Sequence, residues 1–282
     1  MAAAAGVARG AWHGRLDLAF VRRGHRTVLE RRTVRMPLAL QRPFYPEGPA
    51  VCHVLVLHPP GGMVGGDRLD IALDAEAGAQ AMVTTPSAAK WYRGLATARQ
   101  TVRLRLASDS RIEWLPQETI VYAGAEVRQE LRVELAPGAV WLGWDITRFG
   151  RTARGETYAH GTWRTCTEVW RADEPLWIDR QRLDGGGRAL QGAFGLGGNP
   201  VLGTFAWVGK RVSAELVQAA RDRWAAVGQP GDAGVTRLPE GLLCRYRGAS
   251  SAAARAWFIE VWRLVRAHDG RTPAVPARIW ST

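Results

Sequence analysis

The residues of this chain that could do chemistry are few, and most of their spacings argue against it. Six histidines, His13, His25, His53, His58, His160 and His268, are scattered and form no H-E-x-x-H pattern. His53 and His58 are five positions apart on an expected strand and its exit, which points them to opposite faces. No histidine metal site is therefore expected. Cys52, Cys166 and Cys244 are odd in number, far apart and free of any C-x-x-C spacing. That argues against a disulfide framework and a structural zinc site, and favours small buried hydrophobes in a reducing compartment.

Two further patterns invite a catalytic reading. Ser87-Ala-Ala-Lys90 matches S-x-x-K, in which a lysine one helical turn from a serine accepts its proton. The partner motifs S-D-N and K-T-G are absent, so a serine hydrolase built on Ser87 and Lys90 is only a rival reading, to be tested with a covalent serine probe. Gly61-Gly-Met-Val-Gly-Gly-Asp67 lacks the Lys-Ser or Lys-Thr of a phosphate loop, and Gly195-Leu-Gly-Gly198 lacks dinucleotide spacing. Both read as tight turns that need positive φ. As an enzyme sequence the chain is poor.

The elements that must carry these residues are mostly strands. Val102, Leu104 and Leu106 alternate with Arg103 and Arg105, and Leu131 to Leu135 repeats the pattern. Weaker strand signals cover 26–35, 51–57, 71–85, 111–115 and 169–182, with Gly- and Pro-containing turns between them. Two helices are expected in the C-terminal third. One is capped by Ser213 and runs to about Val227, before Gly228. The other begins near Ser251 and carries an apolar face of Trp257, Phe258, Val261, Trp262 and Val265. Arg263, Arg266 and His268 then suit the negative end of its dipole. No repeat of 20 to 50 residues is evident, and 228–241 reads as a surface loop. The expectation is one mainly β domain over residues 1–282.

The net charge of +12 will attract acidic partners, and it keeps a basic nucleic-acid-binding protein open as the first rival, ahead of the serine hydrolase. The arginines alternate with apolar residues rather than forming a block, and no nucleic-acid module is recognised. A steep salt dependence of DNA binding would support that rival. Met1 to Gly10 lacks the features of a signal peptide, and no apolar run reaches the length of a membrane helix. A cytoplasmic protein with no membrane contact is expected.

Several blocks, in order and covering nearly the whole chain, resemble the urease accessory protein UreD family, called UreH in some bacteria. Leu57 to Leu69 resembles the family's apolar strand followed by G-G-x-x-G-G-D. Thr84-Thr-Pro-Ser-Ala-Ala-Lys-Trp-Tyr-Arg93 is similar to its T-T-Q-A-A-T-K-x-Y-R block. Glu113 to Ile120 holds an L-P-x-x-x-I stretch, Phe149 to Glu156 a G-R-x-A-x-G-E block, and Pro276 to Trp280 the usual ending. Pro59-Pro60 and Pro86-Ser87 depart from the pattern beside turns, where Pro is tolerated.

The resemblance implies stacked β-sheets of a helical-wrap kind. It also implies a maturation scaffold without catalytic activity. Such a scaffold binds UreF, through it the GTPase UreG, and apo-urease, to which nickel is delivered. No tightly bound cofactor is implied. A transient path for nickel(II) through the protein would need oxygen ligands, and Asp67, Glu118, Asp145 and Glu156 each lie in or beside a matching block. Asp145 follows the apolar run Val140 to Trp144, where a carboxylate is costly unless paired or wet. The structural alternatives are a turn cap for Asp67 and an ion pair with Arg151 or Arg154 for Glu156.

Overall fold

A computed structural model describes residues 10–271 and 273–281. Most of Met1 to Gly10, the stretch without signal-peptide features, lies outside the described residues. The fold opens with a hairpin of β1 (His13–Arg23) and β2 (Arg26–Arg35), followed by β3 (Ala39–Leu40). It then winds in coils. The first coil is β4 (Val51–Leu57), β5 (Gly62–Met63) and β6 (Arg68–Ala75). The second is β7 (Gln80–Thr84), β8 (Ala89–Trp91) and β9 (Ala98–Leu106), and the third β10 (Arg111–Leu115), β11 (Thr119–Val121) and β12 (Glu126–Leu135). A fourth starts with β13 (Val140–Phe149) and ends in β14 (Thr162–Arg171). Antiparallel additions complete the fold: β15 (Glu174–Asp184), α1 (Arg188–Gln191), β16 (Val201–Val208), α2 (Ala214–Val227), β17 (Asp232–Leu238), β18 (Gly241–Gly248) and α3 (Ser251–His268).

Each coil gives one long strand to each of two sheets. The first sheet has seven strands in the order β15-β14-β12-β9-β6-β1-β2. The second runs β17-β18-β16-β13-β10-β7-β4-β3, with β5, β8 and β11 forming a short third side. Within the wrap the pairing is parallel, with Val51, Gln80, Arg111 and Val140 in register and one coil taking about 30 residues. The structure thus contains a repeat that the residue pattern does not reveal. Equivalent positions need only be apolar or able to turn, so they share character and not identity.

The stacked rungs show what holds the wrap together. Leu18, Leu73, Leu104, Val133 and Val169 lie in register across the first sheet, all buried. They meet the inner face of the second sheet to form one apolar core. The turns stack too: Gly78, Asp109 and Gly138 occupy equivalent corners, all with positive φ. The outer face of the second sheet is covered by α2 and α3, which build a second core around Trp144, Phe205, Trp257 and Trp262. Among the described residues, no helix of this kind covers the outer face of the first sheet.

Both long helices fall where expected. Ser213 accepts from the Leu216 N–H, Gly228 closes α2 in the left-handed conformation, and Ser250 caps α3. Other expectations need correction. The expected strand 71–85 is two strands in different sheets, separated by the corner at Gly78, and 169–182 spans a hairpin. The segment 228–241 is not all loop, since β17 pairs with β18. Arg266 lies in the last turn of α3, as expected, and its side chain is in addition buried against Glu113 and Glu47.

Candidate functional site

Between the sheets, the coils border a cavity of about 140 Å³, room for on the order of ten waters if one needs ~10–15 Å³ of such volume. Around it the rung chemistry changes. The rung Leu73-Leu104-Val133-Val169 is apolar, but the next inward-facing rungs keep Ile71, Val102, Leu131 and Leu69 on some strands and bring in polar side chains on others. Gln100, Gln129, Thr165 and Gln181 are in register, and so are Leu131, Thr167 and Asp179. Opposite them, the second sheet contributes Asp145, Thr147 and Thr204. Burying amides, hydroxyls and carboxylates costs free energy unless each is hydrogen-bonded or hydrated, and Gln129 and Thr204 accept from Trp163 and Arg245.

Asp145 and Asp179 are the acidic side chains of this interior, and they differ in environment. Asp179 is well paired: Arg245 Nη2 lies 2.8 Å from Oδ1, and the Gln181 amide donates to Oδ2 at 2.6 Å. Asp145 accepts one hydrogen bond, from the Thr147 hydroxyl at 3.0 Å. Burial pushes its carboxyl up to about 6; the Thr147 hydrogen bond opposes the shift and the Asp179 charge adds to it. Near neutral pH this is a carboxylate in want of a cation. Sequence reading reached Asp145 through its apolar neighbours but missed Asp179, which β15 brings in from the far side of a hairpin.

The structure does not gather the four expected carboxylates. Asp67 is a turn cap, accepting from the Trp12 and Val64 backbone N–H groups at 2.9 Å each. Glu118 pairs with Arg255 of α3. Glu156 pairs with Arg151 and accepts from the Ala123 N–H. Only Asp145 lines the cavity. Among the described residues no group of three or more His, Cys, Asp and Glu side chains could hold a metal ion.

The cavity also reaches His58, whose imidazole is held below its usual range by burial, with Asp67 opposing. His53, by contrast, is buried against the Glu47 carboxylate at 2.7 Å, so the two histidines do diverge. Ser87 and Lys90 line the cavity as well, but Ser87 lies in a bend and Lys90 in β8. The helical turn that S-x-x-K chemistry requires is absent there. Among the described residues no helix is long and apolar enough to cross a membrane.

The cavity therefore offers exchangeable oxygen ligands beside apolar side chains between the two sheets. Such a set can pass a divalent ion or water but lacks the convergent imidazoles or thiolates that would retain a metal. Comparison with known proteins finds relatives that are named accessory proteins. The family model described as "UreD urease accessory protein" matches residues 13–281. A protein from Acaryochloris marina named urease accessory protein UreD is 52% identical over 271 residues, covering 95% of each chain. Proteins of the same name from Trichormus variabilis and Pseudomonas aeruginosa are 49% and 43% identical, each over 96% of both chains. With a family model matched over almost its full length and relatives 43–52% identical across nearly the whole of both chains, the chain belongs to the UreD family of urease accessory proteins.

Proposed function

We propose that this protein is a non-enzymatic scaffold of urease maturation that binds UreF, through it UreG, and apo-urease, and that nickel(II) bound for urease passes through its interior cavity. The family places the chain in urease maturation. The observation that supports the route is a largely apolar cavity into which Gln, Thr and Asp side chains project, Asp145 with a single hydrogen bond from Thr147 among them. A hydrated divalent ion in transit needs partners that offset lost hydration without gripping it. Carboxylate, amide and hydroxyl oxygens meet that need better than thiolates. A cation beside Asp145 favours its ionised form, which supplies some of the attraction. Asp67, Glu118 and Glu156 act instead at turns and ion pairs that hold the wrap.

The test replaces Asp145 by Asn, alone and together with Asp179→Asn, in cells that co-express urease and the other accessory proteins. The expected variants fold and co-purify with UreF and urease, yet yield urease with less nickel and less activity. If the double variant activates urease as fully as the parent chain, the route through the cavity is wrong. If the parent chain and UreF elute separately at micromolar concentration in moderate salt, the scaffold reading itself fails.

A further inference from the structure

The outer face of the seven-stranded sheet carries a feature that the cavity does not use. His13, Arg68, Arg99, Arg128, Arg164 and Arg182 lie side by side on neighbouring strands: His13 opposite Arg68, Arg68 opposite Arg99, Arg99 opposite Arg128, Arg128 opposite Arg164 and Arg164 opposite Arg182. In-register residues share a face of the sheet. The residues one step along, among them Leu69, Gln100 and Gln129, line the cavity, so the arginines face solvent. Neighbouring strands are about 4.8 Å apart, so the five arginines span roughly 19 Å.

The ladder is not uniform. Arg68, Arg128 and Arg182 each pair with a carboxylate two residues along the same strand: Asp70, Glu130 and Asp184. Arg99 and Arg164, the second and fourth arginines, make no ion pair or side-chain hydrogen bond among the described residues. Two uncompensated guanidinium groups therefore stand two strands apart, roughly 10 Å from one another, with a neutralised arginine between them and one on either side.

We propose that this ladder is a docking surface for an acidic helix of a partner protein, with carboxylates two turns apart engaging Arg99 and Arg164. Residues i and i+7 of an α-helix share a face and are separated by about 10.5 Å, which matches the spacing of the unpaired arginines, and an intervening i+3 or i+4 side chain falls over Arg128. A strand fits worse, because its same-face spacings are roughly 7 and 14 Å. A nucleic acid fits worse still. It presents closely spaced phosphates, and Asp70, Glu130 and Asp184 beside the ladder repel such a polyanion. The match is geometric and electrostatic, and it stands whether or not the cavity carries nickel.

The probe is a fluorescein-labelled, side-chain-stapled helix of about four turns with Glu at i, i+3 and i+7, titrated into the full chain and followed by anisotropy. Its isomer carries the same Glu residues dispersed around the helix, and a single-stranded oligonucleotide of equal charge serves as a second comparison. Arg99→Gln/Arg164→Gln is expected to keep the parent melting temperature and to bind the striped helix at least tenfold more weakly. Arg154→Gln, which removes an exposed arginine off the sheet, is expected to bind as the parent does. The single variants, each expected to lose about threefold, serve if the double variant fails to fold. Equal affinity for the striped and dispersed helices overturns the proposal, as does undiminished binding by the folded double variant. Tighter binding of the oligonucleotide also overturns it, in favour of a polyanion site.

Discussion

Arg266 of α3 and Glu113 of β10 form a forked pair inside the protein, with Nε to Oε1 and Nη2 to Oε2 both at 2.7 Å. The Trp262 indole donates to the same carboxylate at 3.0 Å, and Glu47 joins Arg266 from the loop before β4. Burial works against the Arg266 charge, but the Glu113 and Glu47 carboxylates outweigh it and raise its pKa. The pair clamps the C-terminal helix to the wrap. Glu113→Ala leaves a buried guanidinium short of a partner and is expected to cost about 3–5 kcal/mol. Urea denaturation should show the loss. Removing the exposed Glu30, paired with Arg23 at the surface, should leave the midpoint unchanged.

The same cluster sets an acid limit. Burial pushes the Glu47 carboxyl upward, yet hydrogen bonds from His53 and Arg266 prevail and hold it below its ordinary value of 4.5. Below that value the unfolded state binds more protons, so the stability that Glu47 contributes is present above about pH 4.5 and fades as the pH falls. Melting temperature measured from pH 7 downward should drop through this range. In Glu47→Gln the drop should be shallower, from a lower starting point.

Asp145 acts with the opposite sign. Its folded carboxyl titrates at about 6, above the ordinary 3.8. The native state then binds more protons between these values, and stability falls as the pH rises through them. Asp145→Asn keeps an oxygen that can accept from Thr147 and removes the buried charge. It is expected to be more stable than the parent at pH 7.5 by on the order of 2 kcal/mol, with the difference gone near pH 4. A variant less stable at both pH values would show that Asp145 is compensated by something other than Thr147.

The glycine turn before β6 should tolerate little. Gly66 has φ of +92°, and a Cβ on Gly65 would meet the Ala96 carbonyl oxygen at 2.5 Å. Gly66→Val is expected to lower the melting temperature clearly, since a β-branched residue is strained at positive φ by on the order of 1–3 kcal/mol. Gly65→Ala must push the Ala96 backbone away from the turn and should also destabilise. An unchanged melting curve for either variant would contradict this account of the turn.

Asp109 stands at a corner where Gly78 and Gly138 occupy the equivalent places, and its φ is +57°. Asp109→Val should cost about 1–2 kcal/mol by the sterics of the left-handed region, while Asp109→Asn should be nearly neutral. Thermal melts of the two variants distinguish corner strain from a role of the side-chain charge.

Much of this protein was determined by the sequence alone. Alternation in Val102 to Leu106 marks a strand because side chains on an extended chain change face at every residue, and β9 follows it. Ser213, Gly228 and the stripe from Trp257 to Val265 mark two helices, because caps and 3.6-residue periodicity are local chemistry. The family resemblance was legible in blocks from Leu57 to Trp280 for the same reason: each block is contiguous. What the tertiary structure decided is everything that depends on winding. The repeat of about 30 residues exists as register between Val51, Gln80, Arg111 and Val140, and no residue type has to recur for the coils to stack. Asp179 meets the interior that holds Asp145 only because β15 folds back on β14. Arg68, Arg99, Arg128, Arg164 and Arg182 look like separate strand residues until parallel pairing sets them in one row. Glu113 and Arg266, 153 positions apart, become partners because α3 packs across the second sheet. Such pairings are set by strand register and helix docking, which are properties of the folded chain and not of any local segment.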